Sequence, residues 1–209
     1  MYVLGIEVIR VLSILLLVGT TGRFAVLAFF TKGRGDSGSV KASKPTGFIL
    51  HDVWLLLDFL PLIFYLLGAV VPSWVYGTVL NFSFYGAEVL QVASVPLFLG
   101  GAILTGWSDW ALGQLMRPHI EVMEKHELVT RGPYSRIRHP TYTGIVMMAL
   151  ASALVFFNVI LVVGFVACLG IAYKKAVLEE ELLASEDGFG QAYRDYMLKT
   201  GRFLPKLGR

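Results

Sequence analysis

Charged residues are scarce in this 209-residue chain, which is 16% charged and 56% hydrophobic. Soluble domains carry about 25% charged residues. Several uncharged stretches therefore reach the length of about 20 apolar residues that a helix needs to cross a bilayer core. Lipid satisfies no backbone polar group, and unbroken apolar runs without alternation favour helices over barrel strands. The composition predicts an all-α, polytopic membrane protein.

Cysteine is almost absent, and potential metal ligands are not grouped. Cys168 is the single cysteine, so an intramolecular disulfide is excluded, and its place in an apolar run favours a buried or lipid-facing role. The four histidines show no ligand spacing such as H-x-x-x-H, and we expect no metal. The net charge is +3 without a separate basic domain, so we expect no nucleic-acid partner.

The long hydrophobic runs define the predicted helices. Candidate spans cover residues 8–30, 51–71, 88–107 and the longer stretch 140–173. The last stretch is too long for one comfortable span, and Asn158 near its middle predicts a tight hairpin folded back at Phe157-Asn158. Pro96 predicts a kink in the third span. The sequence thus predicts about five transmembrane helices, of which the last two form a hairpin, followed by cytoplasmic C-terminal helices.

The distribution of basic residues predicts how the helices are oriented in the membrane. Nearly all of them lie in residues 31–47, a predicted flexible loop, in the polar segment 108–139 and in the tail 174–209. The aromatic segment 72–85 and the hairpin tip contain none. Five spans place all three basic regions on one side, whereas four would leave one of them outside. By the positive-inside rule, we predict an external N-terminus and a cytoplasmic C-terminus.

Two charged residues fall inside the predicted spans. Arg23 lies near one end of the first span, and we expect it to snorkel to the interface. Asp58 precedes Pro61 in the second span and fits either a functional intramembrane acid or a local hydrogen-bonding group. No paired intramembrane charges are apparent, which argues against a transporter.

The strongest functional signal is a series of three motifs around the hairpin. The sequence reads HELVTRGPY over residues 126–134 and RIRHPTYTG over residues 136–144. After the hairpin come EEEL from residue 179, F-G-x-x-Y-x-x-Y from residue 189 and RFLP from residue 202. In content and order this series resembles the isoprenylcysteine carboxyl methyltransferase family, over roughly residues 90–205. The first two helices carry no matching motif.

Physical reasoning supports a ligand site at the second motif. Pro140 suits the first turn of a helix, which places Arg138 and His139 at its N-terminus. Free N–H groups and the helix dipole favour anions there. Gly144 lacks a side chain, so we expect that a ligand can approach the backbone at that position. The alternative is that arginine, histidine and tyrosine only mark the cytoplasmic interface of a membrane anchor.

The resemblance implies S-adenosylmethionine as cofactor and assigns residues to it. The implied cofactor-binding residues are His126, Leu128, Val129, Tyr134, His139, Tyr142, Gly144, Glu180 and Glu181. The implied catalytic residues are Arg138, Arg202 and Tyr142, with the arginines holding an acceptor carboxylate. A carboxylate can accept ribose hydroxyls and favours a sulfonium. A solvated helix face remains the alternative for the glutamates, because Lys175 and Glu179 are i,i+4 neighbours.

The function that the resemblance implies is methyl transfer to a lipophilic acceptor within membrane lipid, with isoprenylcysteine as the first candidate. Residues 88–209 would form the methyltransferase core, and residues 1–87 would add N-terminal transmembrane helices. Two other enzyme classes stay open. A phospholipid amine N-methyltransferase would need a general base, and an NADPH-dependent sterol-type reductase has a similar terminal region. A non-enzymatic anchor or transporter is the remaining alternative.

Overall fold

The computed structural model describes residues 5–31, 40–44, 49–115, 121–123 and 127–206. Helices dominate this part of the chain. They are α1 (Ile6–Thr31), α2 (Trp54–Val70), α3 (Pro72–Tyr76), α4 (Ala87–Leu112), α5 (Pro140–Phe156), α6 (Val159–Leu183) and α7 (Gln191–Lys199). A π-helical turn, Ile49–Val53, leads into α2, and 3₁₀ turns lie at Gly113–Leu115 and Gly132–Ser135. Two short strands, β1 (Val40–Ser43) and β2 (Glu121–Met123), pair in antiparallel orientation.

The lengths of the helices confirm a polytopic helical membrane protein. Four segments in the described ranges are long and apolar enough to cross a bilayer, namely Ile6–Ala25, Leu50–Val70, Ala87–Leu112 and Val159–Leu183. Helix α5 is also apolar but has 17 residues. A span needs about 17–25 residues. The count of five spans therefore depends on α5, and it stays a prediction.

Helices α5 and α6 form the predicted hairpin. Phe157 adopts the left-handed conformation, with φ 44° and ψ 48°, and ends α5. Asn158 begins α6, and its side-chain oxygen accepts a hydrogen bond from the Ile160 N–H at 3.0 Å. A side chain of this kind satisfies one of the free N–H groups at the start of a helix. The predicted reversal at Phe157-Asn158 is therefore confirmed.

The uncharged segment after α3 covers the hairpin tip. The Asn81 amide donates to the Phe156 carbonyl at 2.9 Å, and the Asn158 amide donates to Asn81 at 3.0 Å. The backbone N–H of Phe82 donates to the Phe157 carbonyl at 3.0 Å. The two regions that lack basic residues therefore lie at the same end of the molecule, as the charge pattern predicts.

The opposite end gathers the basic regions. Strand β1 comes from residues 31–47, where a flexible loop was predicted, and it pairs with β2 from the polar segment after α4. Ala42 and Val122 pack against Leu178, Leu182 and Leu183 of α6. The Lys44 ammonium lies 2.5 Å from a Glu181 carboxylate oxygen. The strand pairing and these contacts bring both segments to the C-terminal end of α6.

Membrane orientation follows from this separation of charge and can be tested with reporters. We predict that a reporter fused after Arg209 lies in the cytoplasm, whereas one inserted at Val79, which is fully exposed, lies outside. Both fusions should be checked for normal insertion in the same membranes. Reporters found on the same side would contradict the five-span arrangement.

The position of Arg23 differs from two expectations, that its side chain snorkels to the interface and that the spans contain no paired charges. Its side chain does not snorkel but turns inward, where Nη2 lies 2.6 Å from Asp58 Oδ2 of α2. The Arg23 side chain is buried and that of Asp58 is partly buried, and the Arg23 guanidinium also lies 4.3 Å from the Phe24 ring centroid. An opposite charge on a neighbouring helix offsets the cost of burying the guanidinium. The chain thus contains a paired intramembrane charge, and the argument against transport from its absence was wrong.

Helix α4 is longer than the predicted third span. The sequence pattern ends that span at residue 107, but the helix continues through Ser108 and Asp109 to Leu112. Both polar side chains are buried, and α4 packs more extensively against α5 than against any other helix. This packing extends the helix into a segment whose composition is that of a polar loop. Pro96 lies within α4, and the kink there stays a prediction.

Candidate active site

The motif segments that are distant in sequence meet at the start of α5. The Arg138 N–H donates to the Gly201 carbonyl at 2.8 Å, and the His139 N–H donates to the Arg202 carbonyl at 3.0 Å. The Gly201 N–H in turn donates to the Arg136 carbonyl at 3.1 Å. These parallel backbone contacts align the RHP segment with the terminal RFLP segment beside the C-terminal end of α6.

Glu180 is the centre of the site. Its Oε1 accepts a hydrogen bond from Arg138 Nε at 2.8 Å, and its Oε2 accepts one from Arg202 Nη2 at 2.6 Å. His139 Nε2 lies 3.2 Å from Oε1. The Glu180 side chain is only 4% exposed. A buried carboxylate needs partners of opposite charge, and here it has two guanidinium groups and an imidazole.

Glu179 forms a second acidic position next to this centre. It accepts a hydrogen bond from the Tyr142 hydroxyl, and its Oε2 lies 3.3 Å from His139 Nδ1. His139 therefore lies between two carboxylates and stacks on Tyr142, with ring centroids 5.6 Å apart. Burial favours the neutral ring, but the hydrogen bonds to Glu179 and Glu180 raise the pKa of His139 above its ordinary value. The imidazole therefore keeps its proton to a higher pH than a free histidine.

Lys175 closes the membrane side of the site. Its ammonium is buried and lies 5.4 Å from the Trp54 ring centroid and 5.7 Å from that of Tyr142. Aromatic faces attract a cation at these distances. In the sequence analysis Lys175 appears only in the alternative interpretation, a solvated helix face. Its i,i+4 spacing from Glu179 was the available signal that both residues face the same side of α6.

The two glutamates that were predicted together point in different directions. Glu179 and Glu180 contact the two ring nitrogens of His139. Glu181, rotated by about 100° from Glu180 around the helix, faces away from that ring. Glu181 is exposed and pairs with Lys44 of the β1 segment, away from His139. Glu179 takes the place in the cluster that the sequence reading had assigned to Glu181. Glu181 pairs with Lys44 and not with His139. A contact between Glu181 and the cofactor stays a prediction.

The predicted catalytic arginines both contact Glu180. Arg138 also donates from Nη1 to the Met197 and Thr200 carbonyls, and its side chain is only 8% exposed. Arg202 retains 29% exposure, and its guanidinium carbon lies 5.1 Å from the Tyr173 ring centroid. Arg202 is therefore the more exposed of the two arginines, whereas Arg138 is enclosed. Their role toward an acceptor carboxylate stays a prediction.

Close packing against α4, rather than the approach of a ligand, explains why residue 144 is a glycine. A Cβ at this position would lie 2.2 Å from Thr105 Oγ1 and 2.5 Å from the Gly101 carbonyl oxygen. Helix α4 therefore occupies the space that the absent side chain leaves open, so a ligand cannot use the Cβ direction. Close helix packing explains the glycine. A cofactor contact at Gly144 by another route stays a prediction.

The remaining predicted residues precede α5. Tyr134 is buried, which raises the pKa of its hydroxyl, and its carbonyl accepts a hydrogen bond from the Tyr196 hydroxyl at 2.6 Å. Leu128 and Val129 are half-buried in an irregular stretch. His126 lies outside the residues that the structure describes. Tyr134 thus lies beside Thr141 of the first turn of α5, with the two hydroxyls 3.4 Å apart, and Tyr196 of α7 holds its backbone.

Comparisons with known proteins agree with the motifs. Residues 94–185 match the model of the isoprenylcysteine carboxyl methyltransferase (ICMT) family. A protein-S-isoprenylcysteine O-methyltransferase of Tribolium castaneum is 29% identical over 150 residues, which cover 66% of this chain and 50% of that protein. A probable protein-S-isoprenylcysteine O-methyltransferase of Oryza sativa subsp. indica is 31% identical over 91 residues, or 44% of this chain and 46% of that protein. The chain thus spans about half the length of these relatives.

A solved structure shares the fold. The eukaryotic intramembrane Ras methyltransferase ICMT superposes with a TM-score of 0.57 and 21% sequence identity, covering 89% of this chain and 62% of that one. At this identity the likeness shows the fold alone. The family match falls on the region that contains the RHP motif, the hairpin and the acidic cluster. Over residues 94–185 this integral membrane protein is therefore similar to the isoprenylcysteine carboxyl methyltransferase family.

Proposed function

We propose that the protein transfers a methyl group from S-adenosylmethionine to the carboxylate of a lipophilic acceptor, such as a prenylated cysteine. The observation that carries this proposal is the convergence of three motif segments on Glu180. Arg138, His139 and Arg202 meet this buried carboxylate at the cytoplasmic end assigned by the charge pattern. Such a concentration of interacting titratable groups is typical of a functional site.

The groups of the site suit the methyl donor. Its ribose hydroxyls need an acceptor, and Glu179, at 26% side-chain exposure, has the more accessible carboxylate of the two at the centre. Leu128 and Val129 are half-buried and can contact the adenine. When bound, S-adenosylmethionine supplies an electrophilic methyl group on a sulfonium. The relatives' names support this donor class, since they are called O-methyltransferases.

The protein's own groups would mainly position the acceptor. A carboxylate is ionised at neutral pH and therefore needs no general base to become a nucleophile. The exposed edge of Arg202 can donate to it, while Glu180 fixes the guanidinium from the other side. His139 and Tyr142 are held by Glu179 and by stacking on each other, so the site is preorganised. Alignment of two reactants in this way can lower the barrier substantially.

A membrane site also suits the chemistry of such an acceptor. A prenyl chain partitions into lipid, whereas the methyl donor is soluble in water. The cluster lies where the apolar helices α5 and α6 meet the charged C-terminal segment, so both phases border it. We infer that the donor enters from the side of α7 and that the acceptor enters laterally from the bilayer.

The first test compares cofactors and products. Purified protein in detergent should bind S-adenosylmethionine and not NADPH. With a donor carrying a labelled methyl group and a prenylated cysteine analogue, the product should be a methyl ester that releases volatile methanol in alkali. The same analogue with its carboxylate converted to an amide should accept no methyl group.

Two outcomes would replace this proposal. Binding of NADPH without S-adenosylmethionine would favour the membrane reductase. A methylated product that is stable to alkali would indicate N-methylation and would favour the phospholipid amine methyltransferase. Both assays use the intact chain, and the cofactor-binding assay does not depend on the identity of the natural acceptor.

A further inference from the structure

Asp109 is a buried carboxylate that the proposed reaction has not used. It lies near the C-terminal end of α4 and is 2% exposed. Its Oδ1 has no hydrogen-bond partner within the described part of the chain. Buried polar atoms are nearly always paired, and an unpaired charge is far more costly to bury than an unpaired amide or hydroxyl. An atom of this kind requires an explanation.

The neighbouring charges do not neutralise Asp109. Arg23 and Asp58 act on its charge in opposite senses, and the Arg23 guanidinium is paired with Asp58 at 2.6 Å rather than with Asp109. The Arg131 guanidinium is directed to the Ala111 carbonyl, with Nη2 at 3.4 Å from the oxygen. Among the residues that the structure describes, no cation therefore forms an ion pair with Asp109.

Asp109 borders the candidate site. The Thr141 hydroxyl is near enough to interact with its carboxylate and lies 3.4 Å from the Tyr134 hydroxyl. Thr141 belongs to the first turn of α5, two residues after His139. The turn that contains Tyr134 packs on α4 as well, since a Cβ at Gly132 would lie 3.2 Å from Trp107 Nε1. The free carboxylate oxygen is thus at the junction where α4 supports the predicted cofactor residues.

The other carboxylates of the site are already satisfied. Glu180 binds Arg138 and Arg202, and Glu179 contacts Tyr142 and His139. Both carboxylates thus already have protein partners, whereas Asp109 Oδ1 has none in the described part of the chain. S-adenosylmethionine carries two compact cations, the sulfonium and the amino-acid ammonium. Each would be stabilised by a carboxylate in a region of low dielectric constant.

We propose that Asp109 binds the cationic part of the methyl donor. This inference rests on the proposed function, and it adds a binding residue from α4 that none of the sequence motifs contains. The ligand would provide the charge that Asp109 lacks in the free protein. The buried, unpaired carboxylate would then destabilise the protein without ligand, and a bound cation would remove this destabilisation.

The test is Asp109→Asn, which keeps the shape of the side chain and removes its charge. We expect the variant to bind S-adenosylmethionine at least about tenfold more weakly, because the amide carries no negative charge to attract either cation of the ligand. Its Tm without ligand should equal or exceed that of the wild type, because an uncompensated buried charge is removed. Ser108→Ala, at the adjacent buried position, should change neither quantity. Asp109→Leu is a second variant that should fold and also lose affinity.

S-adenosylhomocysteine separates the two cations, because it has the ammonium but no sulfonium charge. Weaker binding of S-adenosylmethionine alone would assign Asp109 to the sulfonium, and equal weakening of both ligands would assign it to the ammonium. Unchanged affinity for both ligands would overturn the inference and leave the proposed function intact. A lower Tm with unchanged affinity would show a structural role instead. Failure of the wild type to bind S-adenosylmethionine would reject the proposed function itself.

Discussion

Glu180→Ala is expected to lower the free energy of unfolding by about 3–5 kcal/mol, the cost of removing one partner of a buried ion pair. The substitution leaves the Arg138 guanidinium enclosed without its carboxylate, and His139 loses one of its two acidic neighbours. It also removes the group that holds Arg202 at the start of α5. Thermal unfolding of purified protein in detergent should show a large decrease in Tm, and methyl transfer should be lost.

Glu181→Ala is the matched control, because it removes the same side chain from the next position of α6. Glu181 pairs with Lys44 at an exposed site, where a salt bridge contributes about 0–1 kcal/mol. The control should therefore unfold close to the wild type. Equal destabilisation by the two substitutions would show that the buried cluster does not hold this end of the molecule together.

The sequence predicts the helices of this protein well, because their cause is local. Each apolar run is long enough to require a helix in lipid, whatever its neighbours are. The hairpin is equally local, since Phe157 and Asn158 make the reversal with their own backbone and side chain. The RHP segment at the start of α5 and the basic end of the bundle also follow from short stretches of sequence.

Contacts between distant residues explain what the sequence could not predict. Arg23 turns inward because Asp58, 35 positions later, lies on the adjacent helix. Ser108 and Asp109 look like the start of a polar loop, yet packing against α5 keeps them in α4. Residue type alone gives no information on these partners. Whether a charged residue within a span turns inward or toward the membrane surface depends on which helix lies beside it.

The acidic cluster shows the same limit at the site. Its three consecutive glutamates are chemically identical, and the motif does not say which one faces His139. The contacts made by the two sides of α6 decide this: one side carries Lys175, Glu179 and Glu180, while Glu181 faces β1. The spacing of Lys175 and Glu179 was a usable signal, but the position of Lys44 relative to α6 was not available from the sequence.

Gly144→Ala and Gly170→Ala should change stability in opposite directions. A Cβ at Gly144 meets the backbone oxygen of Gly101 at 2.5 Å, and this carbonyl already accepts a hydrogen bond from Thr105. A backbone atom cannot rotate away, so α4 and α5 must separate, at a cost of about 1–3 kcal/mol for overpacking. At Gly170 of α6, a Cβ meets nothing within 4 Å. Alanine there should stabilise the helix by about 0.5–1 kcal/mol.

Thermal unfolding in detergent measures both effects, and ligand binding adds a second readout. Separation of α4 from α5 would move Asp109 away from Thr141, so Gly144→Ala should also weaken binding of S-adenosylmethionine, whereas Gly170→Ala should not. If both alanines stabilise the protein, the two helices are not in the close contact described above. If Gly144→Ala lowers Tm but leaves affinity unchanged, α4 supports the fold without contributing to the cofactor site. If Gly144→Ala lowers both the Tm and the affinity for S-adenosylmethionine, the packing of α4 against α5 supports cofactor binding as well as the fold.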